Sequence, residues 1–376
     1  MASQGPEISG GNGEITVGSS AVSNDGGVLP QDAIYEILLR VPARPLCRFR
    51  AVCQSWHSLL TDPPFVATHA ARHRGDPPVF AVCVADGTHG EIRILDTSGR
   101  TVKRVNTAPA SPCRMLPHLD LVLLRVDTIR GSVKPRSLTV VDPATGSISF
   151  LPSKDKHAQH SFVFGRAVSS TGGHGEYKVL SFDACAYPNE PCKILTIDGS
   201  RGTWRAAPWP PARIKLFWNG TWVVSNGIVY HLVDYVSCQI AIFDLEAEQW
   251  RPYLVEWPER VPNIIEISLA EVNERVVAVT TAVLTMDIWM LMGSGWLKQC
   301  RLDISSIQRY YHGQSTVVTP LSVMKDVRVA LWAYDPYNIS TGSLWIYDRT
   351  NETCTHVVTI QNCKVGVGVY TGNLLR

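Results

Sequence analysis

A short pattern that recurs six times dominates the second part of the chain. Each copy contains a β-branched or aromatic run, a turn residue, a polar turn and a second run. Successive turn residues lie 46 to 56 residues apart, and they are Asp96, Asp142, Asp198, Asp244, Met292 and Asp348. A period of about 50 residues with several strands in each unit is typical of β-propeller blades. Residues 75–376 are therefore predicted to form an all-β propeller.

The turn residues and those that follow them have predictable local roles. An Asp carboxylate accepts a hydrogen bond from a backbone N–H two residues later and so fixes a turn. Gly146 and Gly202 are expected to supply the positive φ that such turns use. Aromatic residues after the turns are expected to pack between neighbouring sheets, and they are Phe150, Trp204, Trp250 and Trp296. Six copies in phase favour six blades, with a seventh or a degenerate blade as the alternative.

The last apolar run of the chain, residues 365–370, has no obvious partner in its own repeat. We expect it to pair with an early strand near residues 79–84 and so close the ring. Closure would remove the sheet edges that otherwise invite aggregation.

One apolar stretch, residues 275–298, is long enough to be considered as a membrane span. Its only charge between Arg275 and Lys298 is Asp287, and Gly293 and Gly295 interrupt it. The run is rich in β-branched residues, and a carboxylate in mid-membrane is costly. Two strands of the β-region are therefore the preferred interpretation.

The first 74 residues differ from the rest. Residues 1–27 hold seven glycines and five serines, and are expected to be a disordered tail. Residues 28–74 have helical periodicity: Ile34, Ile37, Leu38 and Val41 follow an i, i+3, i+4, i+7 pattern. Pro42 ends this helix, a second is expected to run to Leu60, and a third, short helix to follow Pro64. The predicted class is α+β multidomain: about three helices, then the propeller.

The helical segment closely resembles the F-box. The pattern of that family is Leu-Pro, an acidic position, an Ile/Leu helix, Leu/Val-Pro and a basic turn, then a helix with Leu, Arg-Phe-Arg, Val-Cys, Trp and Leu, and finally Asp-Pro-x-Phe. It stands here as LPQDAIYEILLRVPARPLCRFRAVCQSWHSLLTDPPF. The β-region is similar to the F-box-associated, kelch-like propellers of the large plant F-box family, through segments such as YKVLSFD and IAIFDLEAEQW.

This resemblance implies binding to a Skp-type adaptor and, through it, to cullin and RING subunits. The residues that match family positions in the adaptor interface, or in the small core behind it, are Leu29, Pro30, Ile34, Ile37, Leu38, Val41, Pro42, Leu46, Phe49, Val52, Cys53 and Trp56. The sequence does not divide them between those two roles. Short helices are unstable alone, so a purely internal core is the weaker alternative. The basic run of Arg40, Arg44, Arg48 and Arg50 either complements an acidic adaptor or is a solvated face.

Composition excludes several other classes. The net charge of +2 over 376 residues argues against a nucleic-acid binder that uses a broad basic field. The ten cysteines show no CxxC spacing and indicate reduced thiols in a cytoplasmic or nuclear protein. Cys53 with His57, and His157 with His160, are weak candidates for catalysis or a metal. Gly366, Gly368 and Gly372 miss the dinucleotide fingerprint, and no cofactor is indicated.

The leading function is the substrate-recognition subunit of an SCF-type ubiquitin ligase, with no catalysis of its own. A regulatory binding protein without ubiquitylation, and a glycan-binding or enzymatic propeller, are the alternatives. No nucleic-acid or membrane partner is expected, and the substrate site is not predicted. One cluster, Trp209, Arg213, Trp218 and Trp222, is either a recognition loop or packing between blades.

Overall fold

The computed structural model describes most of the chain in a series of ranges. These ranges are 29–73, 76–85, 90–107, 112–118, 120–126, 137–152, 161–168, 175–182, 192–197, 202–212, 214, 222–233, 238–258, 266–293, 295–312, 316–336 and 341–372. The predicted tail at 1–27 lies outside them, as do Asp198, His157, His160, Arg213 and Trp218.

Four helices form the amino-terminal region. They are α1 (Gln31–Arg40), α2 (Ala43–Phe49), α3 (Gln54–Thr61) and α4 (Pro63–Arg72). The second predicted helix is divided in two, because Cys53 is extended, with φ −161° and ψ 167°, and precedes α3 as its N-cap. The apolar period continues across this break, which is why the sequence suggests a single helix.

The β-region is a propeller of four-stranded antiparallel blades. Blade 1 contains β1 (Val79–Ala85), β2 (Gly90–Leu95) and β3 (Thr101–Thr107). Blade 2 contains β4 (Pro112–His118), β5 (Leu121–Val126), β6 (Ser137–Val141) and β7 (Ile148–Phe150), and blade 3 contains β8 (Ser161–Arg166), β9 (Tyr177–Phe182), β10 (Cys192–Ile197) and β11 (Arg205–Ala207).

The second half of the ring repeats this plan. Blade 4 contains β12 (Trp222–Ser225), β13 (Ile228–Leu232), β14 (Gln239–Asp244) and an outer strand in two pieces, β15 (Gln249–Trp250) and β16 (Val255–Glu256). Blade 5 contains β17 (Glu266–Val272), β18 (Arg275–Thr281), β19 (Thr285–Met292) and β20 (Gly295–Asp303), followed by helix α5 (Ser305–Tyr310). Blade 6 contains β21 (Val317–Val323), β22 (Val329–Tyr334), β23 (Thr341–Asp348) and β24 (Thr353–Gln361).

The final strand, β25 (Cys363–Tyr370), closes the ring as the inner strand of blade 1. It pairs antiparallel with β1, where Val79 is opposite Tyr370 and Val82 is opposite Val367. It also touches β4 of blade 2 at one position, Val365 opposite Arg114. The expected closure is confirmed, and the described blades number six.

Each pair of neighbouring blades shares one apolar cluster. Val122 and Leu124 of blade 2 pack with Ile92 and Ile94 of blade 1, for example. Equivalent clusters join blades 2 and 3, 3 and 4, 4 and 5, 5 and 6, and 6 and 1. The core is therefore a ring of six layers between sheets, and each blade depends on both neighbours.

The predicted Asp turns are confirmed wherever the structure describes them. Asp142 Oδ1 accepts a hydrogen bond from the Ala144 N–H at 2.8 Å. Equivalent bonds run from Ser98 to Asp96, from Glu246 to Asp244 and from Thr350 to Asp348. We call the side of the ring that carries these turns the Asp-turn face.

The predicted glycine and aromatic roles hold only in part. Gly146 has a φ of +76°, but Gly202 does not adopt a positive φ. Gly202 is needed for space instead, because a Cβ there would meet Thr196 O at 2.5 Å. Phe150 is 68% exposed, so its predicted packing role is wrong. Ile148, six residues after Asp142, packs between blades 1 and 2 in its place.

Residues 275–298 form strands, as the β-branched composition predicts. They contribute β18, β19 and the start of β20 in the middle of blade 5. No helix within the described ranges has the length and apolar character needed to cross a membrane.

Candidate adaptor-docking site

The four amino-terminal helices have a small apolar core of their own. Leu38 and Leu39 from α1, Leu46 from α2, Leu60 from α3 and Phe65 from α4 are each at most 2% exposed. Tyr35 packs edge-on against Phe65 with ring centroids 5.2 Å apart. Phe49 and Trp56 meet at 5.5 Å. These contacts hold four helices of seven to ten residues in one arrangement that none could sustain alone.

Local sequence explains where the helices begin and end. Asp32 lies in the first turn of α1, where a carboxylate suits the positive end of the helix dipole. Pro42 ends α1 and precedes α2, and Pro63 begins α4. The Arg50 guanidinium donates to Leu60 O at 2.9 Å and ties the end of α2 to α3.

The structure divides the twelve predicted docking residues into three groups. Two are buried in the helical core, and these are Leu38 and Leu46. Four are half-buried against that core, and these are Ile34, Val41, Phe49 and Trp56. Six are exposed, and these are Leu29, Pro30, Ile37, Pro42, Val52 and Cys53.

The exposed group forms the candidate docking surface. Leu29, Ile37 and Val52 are 54%, 48% and 62% exposed. Large aliphatic side chains left in water lose the favourable free energy that burial would give them. These three are therefore not covered by the propeller, and they are open to another protein.

Helix α2 connects the helical core to the propeller. Ala43 packs both against the helical core and against the cluster between blades 1 and 2. Lys103 of β3 donates to Ala144 O in the Asp142 turn. Burial lowers the pKa of Lys103. Two nearby residues of the helical region also shift this pKa, Cys47 upward and Arg50 downward. The helices therefore meet the ring at blades 1 and 2.

Comparison with known families supports the helical module directly. The F-box domain model matches residues 28–68, which include α1, α2, α3 and the first part of α4. This match covers the core and the exposed surface described above. Residues 28–68 therefore form an F-box domain.

Curated relatives of this chain are also named as F-box proteins. An F-box protein of Arabidopsis thaliana is 23% identical over 330 residues, covering 80% of this chain and 83% of the relative. An F-box/LRR-repeat/kelch-repeat protein of the same plant is 24% identical over 296 residues, covering 74% and 78%. A third, an F-box/LRR-repeat protein, is 22% identical over 335 residues, covering 81% and 74%. These alignments extend well beyond the F-box into the propeller.

Sequence reasoning missed part of the F-box core. Leu39, Leu60 and Phe65 were absent from the predicted set although each is almost fully buried. His69, only 2% exposed, was also absent because histidine is rarely assigned to a core. A signal was available, since Phe65, His69 and His73 recur every fourth residue on one face of α4.

The basic run of the F-box protein has mixed roles. Arg50 is used internally through its bond to Leu60 O. Arg40 and Arg48 are exposed, and the Arg44 side chain lies outside the described residues. The exposure of Arg40 and Arg48 fits both interpretations, contact with an acidic adaptor and a solvated helix face.

The candidate chemical groups that lie within the described ranges have ordinary local partners or strand positions. Cys53 is exposed, and its Sγ lies 3.1 Å from Ser55 Oγ. This hydrogen bond lowers the pKa of the Cys53 thiol. His57 contributes its backbone N–H to Cys53 O, as an ordinary helical bond. Gly366 and Gly368 lie in strand β25 and open no helix. Within the described ranges, no three His, Cys, Asp or Glu residues group as a metal site.

The predicted tryptophan cluster is only partly described. Trp222 is half-buried and packs against the apolar clusters between blades 2 and 3 and between blades 3 and 4. Trp209 is also half-buried. The environment of Trp222 favours the packing interpretation for that residue.

Proposed function

We propose that this F-box protein is the substrate-recognition subunit of an SCF-type ubiquitin ligase, working in the cytoplasm or nucleus. In this proposal residues 28–74 dock on a Skp-type adaptor, which connects to cullin and RING subunits. The propeller of residues 75–376 holds a target protein, and the chain performs no chemistry itself. The observation that carries the proposal is the exposed apolar surface of Leu29, Ile37 and Val52 on a folded F-box.

The docking step is driven by burial. Fully burying a large aliphatic side chain contributes roughly 1.5–3 kcal/mol. Leu29, Ile37 and Val52 are about half exposed, so each has roughly half of that still to gain, on the order of 1 kcal/mol. Pro30, Pro42 and Cys53 add smaller apolar contacts around them. Such contacts offset the entropic cost of association only if the helices are already ordered, as they are here.

The strand order suggests which side of the propeller receives the target. Phe80 at the start of β1 pairs with Leu95, one residue before the Asp96 turn. The chain therefore passes from the F-box into blade 1 at the Asp-turn face. We assign the target protein to the opposite face of the ring, away from this entry point. A target held there would place its lysines near a conjugating enzyme, and proximity is the contribution of the receptor.

Binding to a purified Skp-type adaptor tests the proposal. Isothermal titration with the full chain should give a complex, and Ile37→Glu with Val52→Glu should weaken it at least tenfold. Both side chains are exposed, so circular dichroism should show an unchanged fold. Val283→Glu with Leu284→Glu is the matched control, since these propeller residues are 61% and 51% exposed. The proposal fails if the intact chain does not bind, or if the control weakens binding as much.

A further inference from the structure

The end of helix α1 has an unusual need for hydrogen-bond donors. A helix leaves its last four carbonyl groups without partners inside the helix. Leu38 O accepts from the Val41 N–H at 3.1 Å. Pro42, the next residue, has no N–H to offer. The carbonyl of Leu39, and that of Val41 just after the helix, can therefore accept hydrogen bonds from another element.

Helix α4 supplies both donors from histidine side chains. His73 Nε2 lies 3.0 Å from Leu39 O, and His69 Nε2 lies 2.8 Å from Val41 O. A carbonyl oxygen only accepts, so each ring donates a hydrogen bond from Nε2. These bonds bridge 34 and 28 residues of sequence.

The two rings are held in place by packing along one face of α4. His69 stacks on His73 with centroids 4.1 Å apart, and on Phe65 at 6.2 Å. His69 is 2% exposed. The donors therefore have little freedom to leave the carbonyls that they contact.

These contacts act on the segment that carries the docking surface. Ile37 lies in the last turns of α1, and Pro42 follows its end. We propose that His69 and His73 are positioning residues of the docking surface, which fix the end of α1 so that Ile37 and Pro42 are presented to the adaptor. This inference rests on the proposed adaptor docking. It extends the working module to the end of α4, because the F-box match stops at residue 68.

The same geometry makes the stability of the helical module sensitive to acid. The charged or titratable groups around His69 are His73, Asp76, whose Oδ2 lies 2.6 Å from His73 Nδ1, and the Glu36–Arg72 pair that joins α1 to α4 at 3.5 Å. Burial lowers the pKa of His69, and the neighbouring His73 acts in the same direction. The folded pKa lies below the unfolded value of about 6.5, so the contribution of His69 is complete above that pH and is lost as the pH falls through the folded pKa.

Paired substitutions separate donation from simple filling of space. His69→Leu with His73→Leu keeps apolar bulk but removes both donors. His69→Gln with His73→Gln keeps an N–H near each Nε2 position and does not titrate. Titration of the full chain with a Skp-type adaptor at about pH 7.5 should show the Leu pair weakened about tenfold or more and the Gln pair within about threefold of the native chain.

The pH profile gives a readout that packing alone would not move. Between about pH 7.5 and 5.5 the denaturant midpoint of the native chain should fall further than that of the Gln pair, because only the native chain carries the buried imidazole of His69. The adaptor is absent from this measurement, so its own titration does not enter the comparison. The inference is overturned if the Leu pair binds like the native chain, if the Gln pair falls as far as the Leu pair, or if the two pH profiles coincide. Failure of the native chain to bind at about pH 7.5 would instead reject the proposed function.

Discussion

At the scale of single residues, the carboxylate of Asp287 shows how a charge is tolerated inside a β-sheet. Its side chain is 6% exposed. Arg301 donates to both carboxylate oxygens, from Nε and Nη2, at 2.7 Å each, and Lys298 donates to Oδ2 at 2.9 Å. Lys298 also lies 4.9 Å from the centroid of the Trp289 ring. Both cations lie on the neighbouring strand β20, so the buried carboxylate has charged partners although its own strand is apolar.

Replacing this carboxylate should destabilise the propeller. Asp287→Ala removes the acceptor for two cations, and breaking a paired buried charge of this kind costs on the order of 1–3 kcal/mol. Denaturant unfolding should therefore show a lower midpoint. Asp326→Ala is the matched control, because the Asp326–Arg328 pair is exposed on both sides and should leave the midpoint unchanged. Equal midpoints for Asp287→Ala and the native chain would contradict the structural role.

The same carboxylate predicts a direction for acid unfolding. Hydrogen bonds from Arg301, and then from Lys298, hold the pKa of Asp287 below its usual value. The stability it contributes is therefore present above the unfolded pKa of about 3.9 and is lost as the pH falls through the folded pKa. Between about pH 5 and pH 3 the native chain should lose more stability than Asp287→Ala, measured by denaturant midpoints. A parallel decline of the two proteins would show that Asp287 is not a linked group.

Single residues also show which contacts can be predicted from the sequence and which cannot. The turn role of Asp142 was predictable, because its partner is the N–H of Ala144, two residues away. The pairing of Asp287 with Arg301 was not, because it depends on the register of β19 against β20, which places the two directly opposite. The prediction for Gly202 was wrong for the same reason: its constraint comes from the folded position of Thr196 O, and not from its own turn.

At the scale of elements, three tryptophans link the outer strands of blades 3, 4 and 5 to the blade that precedes each of them. Trp204 Nε1 donates to Pro152 O at 3.0 Å, Trp250 Nε1 to Pro208 O at 3.0 Å, and Trp296 Nε1 to Glu256 O at 2.8 Å. In each case the acceptor carbonyl lies at the end of the outer strand of the preceding blade, or just after it. The repeat predicted aromatic packing between sheets, but the hydrogen bond became visible only with the neighbouring blade in place.

Removing one of these N–H groups tests the link. Trp250→Phe keeps an aromatic ring but leaves Pro208 O without this donor and leaves a smaller side chain in the cluster between blades 3 and 4. The free energy of unfolding should fall by about 1–3 kcal/mol. Phe150→Leu serves as the control, since Phe150 is 68% exposed and should shift stability by no more than about 0.5 kcal/mol. An unchanged midpoint for Trp250→Phe would show that the bond from Trp250 to Pro208 O does not stabilise the propeller.

The helices show the limit of periodicity as a guide to elements. Apolar residues at 46, 49, 53, 56 and 60 predict one continuous helix. The chain instead turns at residues 50–53 so that Trp56 of α3 can meet Phe49 of α2. The twelve predicted docking residues all lie within the F-box match, but their division into core and surface depends on this turn, which no local pattern encodes.

At the scale of the whole molecule, ring closure depends on the carboxyl-terminal strand. β25 is inserted between β1 of blade 1 and β4 of blade 2. Phe80 and Val82 of β1 and Cys363 of β25 lie in the cluster that blade 1 shares with blade 6. Sequence placed this strand correctly, because a ring of equal blades has one missing place and the last run has no partner in its own repeat. A strand that joins two distant parts of the chain also brings the cost of closing a long loop, so closure is expected to form late in folding.

Deleting residues 363–376 should open the ring. Blade 1 would lose its inner strand, Phe80 and Val82 would be exposed at a free sheet edge, and the shared clusters would lose packing on both sides. We expect a broad, weakly cooperative thermal transition and binding of an apolar dye, while deletion of 373–376 alone leaves a sharp transition. A synthetic peptide of residues 363–372 added in trans should restore part of the cooperativity, because its backbone can pair with β1 as β25 does. A truncated chain that melts as sharply and at the same temperature as the full chain would mean that the propeller is held by its six inter-blade clusters without closure.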